Sequence, residues 1–487
     1  MEYTQYVNSM QQYGRLPAEM ALGTYEIVAT KEYCRNNTLP NPPAVVFVID
    51  VSYNAIKNGL VQTICDNIMD IIETTAYNEL GQSCSAAGVC VQLFVCNNAY
   101  ADAATLGQLP RLTGGQLHKY TYFVADTDGA RLAWDVKRTV TRPTGHDAVM
   151  RVRTSTGVRA TEFYGHFFMS NTTDVELAAI DSDKAIGVEI KHDDKLTAED
   201  GVYVQAALLY THRSGQRRLR VLNLALAVAH QLADVYRATE LDTCINFLTK
   251  QAVWALREAT PRQVREGLTS RCAKSLAAYR RHCASPSSVG QLVLPESMKL
   301  LPLYTSCVLR SDAIAGGQDI TCDDRSCAMY RALTADVSLS LVYTYPRLLP
   351  LDGLPSAPPQ PLRASVDKMS EMGVYLLENG VHMLIWVGSQ ASSEWVSEVF
   401  GVASPQHVDT HVCELPELDN PTSVAVRDLV LQTRIKRKNA MRLTVMRQHD
   451  KLETVLRHFL VEDRGVDGSS SYVDYLCHIH KEIRALL

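Results

Sequence analysis

Several clusters in the chain combine residue types whose spacing could do chemistry. AVVFVIDVSYNA (44–55) ends an apolar run in Asp50, Ser52 and Asn54, so it reads as a buried parallel strand that delivers oxygen atoms to the carboxyl edge of a sheet. A hard cation takes about six oxygens. A metal-ion adhesion site would need Asp-x-Ser-x-Ser together with distant Thr and Asp loops. Here Asn54 stands at the third position, and Ser52 or Asn54 reads better as the N-cap of the next helix. Cys477, His478 and His480 are of types that ligate zinc, but helix positions i, i+1 and i+3 do not converge as i and i+4 do. The acidic neighbours HDD (192–194) and DD (323–324) read as solvated loop residues before they read as an acid/base pair. The chain contains no GxSxG elbow, HExxH helix or GxxxxGK[ST] loop, so no enzyme motif is present and no metal is expected.

Binding has better candidates. In MRVRTSTGVRA (150–160) the period of two puts Arg151 and Arg153 on one face of a strand and Val152 on the other. Two guanidiniums on a sheet face can grip a carboxylate, although spacing alone favours a pair salt-bridged within the sheet. Arg217 and Arg218 in GQRRLR (215–220) are weaker candidates, readable as a basic surface near lipid headgroups. That stretch and RIKRKNAMR (434–442) both read first as solvated faces.

The elements that position these residues come from a chain of 487 residues, enough for two to four domains. With 46% hydrophobic and 21% charged residues the composition is that of a globular protein, and the net charge of -5 implies no nucleic-acid partner. The first twenty residues lack the basic and apolar regions of a secretory leader, and no window reaches the roughly 18 apolar residues of a membrane span. A cytosolic chain with at most peripheral membrane contact is expected. Thirteen cysteines without a Cys-x-x-Cys pair fit reduced thiols.

Along the chain the hydrophobic period changes. LGTYEIVATKEYC (22–34) alternates as a half-buried strand, and the strand at 44–50 leads into an amphipathic helix over about 55–72. Only about three strands are countable up to residue 140, where a doubly wound sheet usually has five or six. From 147 to 225 strands follow one another with turn signals between them, which argues an antiparallel sandwich. From 226 to 310 the apolar spacing becomes helical, and 345–365 is a proline-rich connector. GVYLLENGVHMLIWVG (373–388) predicts a hairpin turning on Asn379-Gly380 in type I′ geometry. The last helix places Tyr472, Tyr475, Leu476, Ile479 and Ile483 on one face.

The succession LGTYEIVATKEYCRNN, PPAVVFVIDVSYNAIKNGL, LPRLTGGQLHKY, AVMRVRTSTGVRA, MSNTTDVELA, ALLYTHRSGQRRLRV, CASPSSVGQLVLPESMKLLPLY, YPRLLPL, YLLENGVHMLIWVG and HFLVEDRGVDGSSSYVDYLCHIHKEIRALL closely resembles the cargo-adaptor family of the COPII inner coat, Sec-twenty-four, and within it the vertebrate C/D-type members. The resemblance implies a multidomain α+β chain. It places an N-terminal tail at 1–19, a β-sandwich at 20–43 with 141–225, and a partial von Willebrand A-like trunk at 44–140. An all-α helical domain follows at 226–345, joined by the terminal helix 466–487, with a gelsolin-like α/β domain at 346–465. It further implies a noncatalytic coat protein that pairs with a homologous GTPase-activating subunit and is recruited by a Sar-type small GTPase. Such a protein would bind sorting signals on cargo and SNARE tails at the cytosolic face of acidic endoplasmic-reticulum membrane, with Arg151 and Arg153 in a cargo-signal pocket. The family's zinc ribbon is expected to be absent here, as are the central strands of its trunk. A rival reading is a cation-dependent adhesion or scaffold module built on the trunk.

Overall fold

The structure, a computed structural model, describes residues 2–12, 16–41, 43–44, 46, 78–97, 99–193, 196–199, 201–286, 288, 290–315 and 320–487. Asp50, Ser52 and Asn54, the helix expected over 55–72, Cys65 and Asp194 lie outside the described residues. In chain order the first nine strands are β1 (Thr24–Val28), β2 (Leu93–Val95), β3 (Leu117–Lys119), β4 (Thr144–Thr154), β5 (Val158–Tyr164), β6 (Asp174–Asp181), β7 (Gly187–His192), β8 (Val202–His212) and β9 (Arg217–Leu226).

Two sheets make the sandwich. The larger is antiparallel throughout, in the order β1-β9-β8-β4-β6, and the smaller pairs β5 with β7. Alternation fixes which residues fill the space between them: Met150, Val152, Leu208 and Tyr210 pack with Phe163 and Val188, while Arg151 and Arg153 point outward. A bulge between His146 and Val149 breaks the register with β8, and Asp147 takes a left-handed φ of 48° there.

Before β4, the strands β2 and β3 pair in parallel and lie beside α1 (Asn78–Ala87), α2 (Gln108–Thr113) and α3 (Ala125–Thr141). The core on this side is small: Tyr120, Phe123 and Leu132 with a few half-buried neighbours. The helical region runs through α4 (Leu241–Ala255), α5 (Pro261–His282), α6 (Leu301–Arg310), α7 (Cys322–Thr334) and α8 (Val337–Thr344). Thr260 and Gln263 close a capping box ahead of Pro261, which settles where α5 begins.

The C-terminal sheet runs β10 (Arg347–Pro350), β11 (Val374–Glu378), β12 (His382–Val387) and β13 (Arg442–Arg447), antiparallel except for the β12–β13 pair. One face packs under α9 (Ser393–Phe400) and α10 (Pro421–Arg437), the other against α11 (Glu453–Phe459). Covering on both faces explains why HMLIWV reads as a continuous apolar run. The last helix, α12 (Tyr472–Leu486), returns to the helical core through Tyr475, Ile479 and Ile483.

Three expectations need correction. The β11–β12 turn is not type I′: only Gly380 among its residues has positive φ (78°), and it occupies the first central position. The reason is Asn379, whose buried side chain accepts from the backbone N–H groups of Val381 and His382. Neither basic stretch is simply a solvated face, because Arg217 and Arg437 are both buried. Asp323 is not a solvated loop carboxylate either. It is 3% exposed and accepts from the backbone N–H groups of Ala101 and Ala103, at 2.7 and 2.8 Å, joining the helical region to the β2–β3 unit.

Candidate functional site

Strand β4 presents Arg151 and Arg153 side by side on the outer face of the five-stranded sheet, both exposed. Antiparallel register sets Asp174, the first residue of β6, opposite Arg151. The two side chains form a fork, with Nε to Oδ1 at 2.5 Å and Nη2 to Oδ2 at 2.6 Å. This hydrogen bond, together with one from Asn171, holds the Asp174 carboxyl below the usual range. Arg153 has no hydrogen bond or ion pair among the described residues. It lines a shallow groove whose floor is Gln205 and Asn223, bonded to each other at 2.9 Å, with Tyr203 and Leu22 at its rim. The face therefore offers one free guanidinium beside one held by an exchangeable surface carboxylate, on a rigid sheet and beside apolar rims. That is the chemistry needed to hold a short acidic or C-terminal peptide segment.

Arg217 and Arg218 do not join this face. Along β9 they stand level with Thr211 and Tyr210, whereas Arg151 is level with Ala207 and Val221. Four residues of strand separate the two places, about 13 Å. Arg217 is 5% exposed and donates to the Asp147 and Tyr33 carbonyls and the Thr211 hydroxyl, with the Asp147 carboxylate at 3.3 Å. That burial removes it from any lipid-facing surface and makes it the anchor of the β4 bulge. Arg218 is half-buried and pairs with Glu26 at 3.0 Å, which also receives Arg220 and the Tyr210 hydroxyl. Burial alone would raise the Glu26 carboxyl, but these donors win and lower it.

Of the metal-type candidates, Asp50, Ser52 and Asn54 lie outside the described residues, and the others can be placed. Among the described residues no group of three or more His, Cys, Asp or Glu side chains gathers as an ion would require. Cys477 and His478 are exposed on α12 while His480 turns inward. The chain has no Cys-x-x-Cys pair, so its residues do not fit the family's zinc ribbon. The twelve described cysteines are all free thiols. Sequence reasoning missed Asp174, because cross-strand register is not written in local spacing, and missed Gln205 and Asn223 for the same reason.

Comparison with known proteins gives the same succession of units. Four family models match: the Sec23/Sec24 trunk domain at residues 72–140, the Sec23/Sec24 beta-sandwich domain at 145–229, the Sec23/Sec24 helical domain at 240–342, and a gelsolin repeat at 355–429. Human protein transport protein Sec24C is 38% identical, covering 96% of this chain and 56% of that protein. Human Sec24D is 35% identical, covering 96% and 60%. The chain thus spans somewhat more than half the length of these curated relatives. The crystal structure of the human COPII-coat protein Sec24c superposes with a TM-score of 0.91 at 37% identity, over 96% of this chain and 80% of the other. The alignment with human Sec24C occupies 616 positions, far more than this chain has residues, so long gaps open against it.

Proposed function

The chain belongs to the Sec24 family, and from that premise we propose that it is a noncatalytic adaptor of the COPII coat, selecting membrane cargo for transport from the endoplasmic reticulum to the Golgi. The observation that carries this reading is the superposition on a COPII-coat protein over 96% of the chain, with trunk, sandwich, helical and gelsolin units in the same order. Its partners are then a homologous GTPase-activating coat subunit and a Sar-type GTPase. It works at the cytosolic face of exit sites on acidic membrane, which fits the lack of a membrane-crossing helix among the described residues. Arg153, with Arg151 released from Asp174, holds an acidic or C-terminal signal on cargo and SNARE tails. The cation-dependent adhesion alternative is not carried forward, since the matched relatives are transport proteins.

Recruitment tests the reading. The chain is mixed with the coat partner, the GTPase loaded with a non-hydrolysable nucleotide, and vesicles rich in acidic lipid. Flotation of the chain only when both proteins are present is the expected result. Failure to co-precipitate with the coat partner would contradict it.

A further inference from the structure

Where α3, α7, α8, the β11–β12 turn and the end of α10 meet, they line a cleft of about 140 Å³. All four units of the fold reach it, and it lies away from the outer face of β4. Eight cationic side chains line it against three carboxylates. Most of those cations are spoken for: Arg138 and Lys438 share Asp183, Arg142 pairs with Asp181, Arg437 with Glu378, Lys119 with Asp324, and Arg131 with Asp128. Of the lining acids, Asp135 accepts from the Tyr120 hydroxyl and Asp336 caps the N-terminus of α8.

Two positive charges are left over. Arg331 has no carboxylate within ion-pair distance among the described residues, its charge reaching Asp324, which Lys119 already holds, only at longer range, and Lys436 has none within that distance either. A second, independent observation points the same way. Arg131 and Arg142 each have a buried Nε–H without an acceptor, although the Arg142 side chain is only 3% exposed. Buried donors of this kind cost free energy until an acceptor arrives. Two unpaired cations and two orphaned donors around one small cavity match a doubly charged, oxygen-rich anion.

We propose that this junction cleft binds the phosphate group of a small soluble phosphate compound, with Arg331 and Lys436 supplying the charge and the Arg131 and Arg142 Nε–H groups completing its hydrogen bonds. A cleft this small, recessed where four units meet rather than spread over one outer face, favours a dissolved molecule over a headgroup held in a bilayer. Occupancy would tie the units together, because the anion binds only the assembled junction.

The whole chain is titrated with inorganic phosphate and with pyrophosphate, against sodium chloride at equal ionic strength, following heat and melting temperature. Binding with a raised melting temperature is expected, weakened about tenfold or more by Lys436→Gln and by Arg331→Gln, since each removes one charge-assisted contact. Lys436 is exposed, so its variant keeps the fold and reads binding alone. Phosphate no better than chloride, or full affinity in both variants, overturns the proposal. With the coat partner and the loaded GTPase present, flotation on anionic vesicles unchanged by the two substitutions supports the soluble source, and loss of that flotation overturns the assignment.

Discussion

Arg153 and Arg437 mark the two ends of what an arginine does in this chain. Arg153 stands exposed on a sheet face with no partner, whereas Arg437 is buried against Glu378, a carboxylate with 0% exposure that Arg347 also reaches. Both belong to short basic stretches that look alike in sequence. The difference is set by what the fold brings opposite: for Arg437 a carboxylate from the end of β11 in direct contact, for Arg153 the neutral amides of Gln205 and Asn223, with the Asp174 carboxylate beyond ion-pair distance and already held by Arg151. A buried guanidinium whose partner is fixed serves the fold. An exposed one without a partner is available to a ligand.

Substitutions can break this contrast. Arg437→Met leaves Glu378 buried with one cation fewer, and should cost roughly 3–5 kcal/mol in denaturant unfolding. Asp323→Ala strips the backbone N–H groups of Ala101 and Ala103, the second of them buried, of their acceptor and should cost about 1–3 kcal/mol. Hydrogen exchange at 101–106 should quicken with it, since that turn loses its tie to α7.

The next effect is one of pH. Glu26 has a lowered folded-state pKa, so its contribution is present above the unfolded carboxyl value of about 4.3 and is lost as pH falls through the folded value. Glu26→Gln should therefore lower stability at neutral pH and converge with the wild type in acid. Parallel melting curves at every pH would show that the Arg218–Glu26–Arg220 cluster does not act as described. Smallest on stability is Arg151→Glu with Arg153→Glu, below about 1 kcal/mol for an exposed cross-strand change. A loss as large as that of Arg437→Met would erase the distinction between the two regions.

Much of the fold was legible because it depends on local period. The apolar run of β12, the helical spacing that α5 continues and the outward alternation of Arg151 and Arg153 all follow from residues within a few positions of one another. What was not legible depends on which distant segment arrives. The Arg151–Asp174 fork needs the β4–β6 register, and the burial of Arg217 needs the β4 bulge and the turn at Tyr33. Asn379 was misread for a related reason: its side chain bonds its own turn, so a familiar Asn-Gly pair occupies other positions than spacing suggests. The junction cleft was invisible altogether, because its two unpaired cations lie about a hundred residues apart on different units.

The claim that the outer face of β4 is the cargo-binding surface is tested most directly by one titration. A synthetic cargo-tail peptide with acidic residues and a free C-terminal carboxylate is titrated into the wild type and into the Arg151→Glu/Arg153→Glu double variant, with unfolding checked on both. Binding by the wild type and its loss in a variant that melts normally is the predicted result. Undiminished binding by the variant would contradict the account.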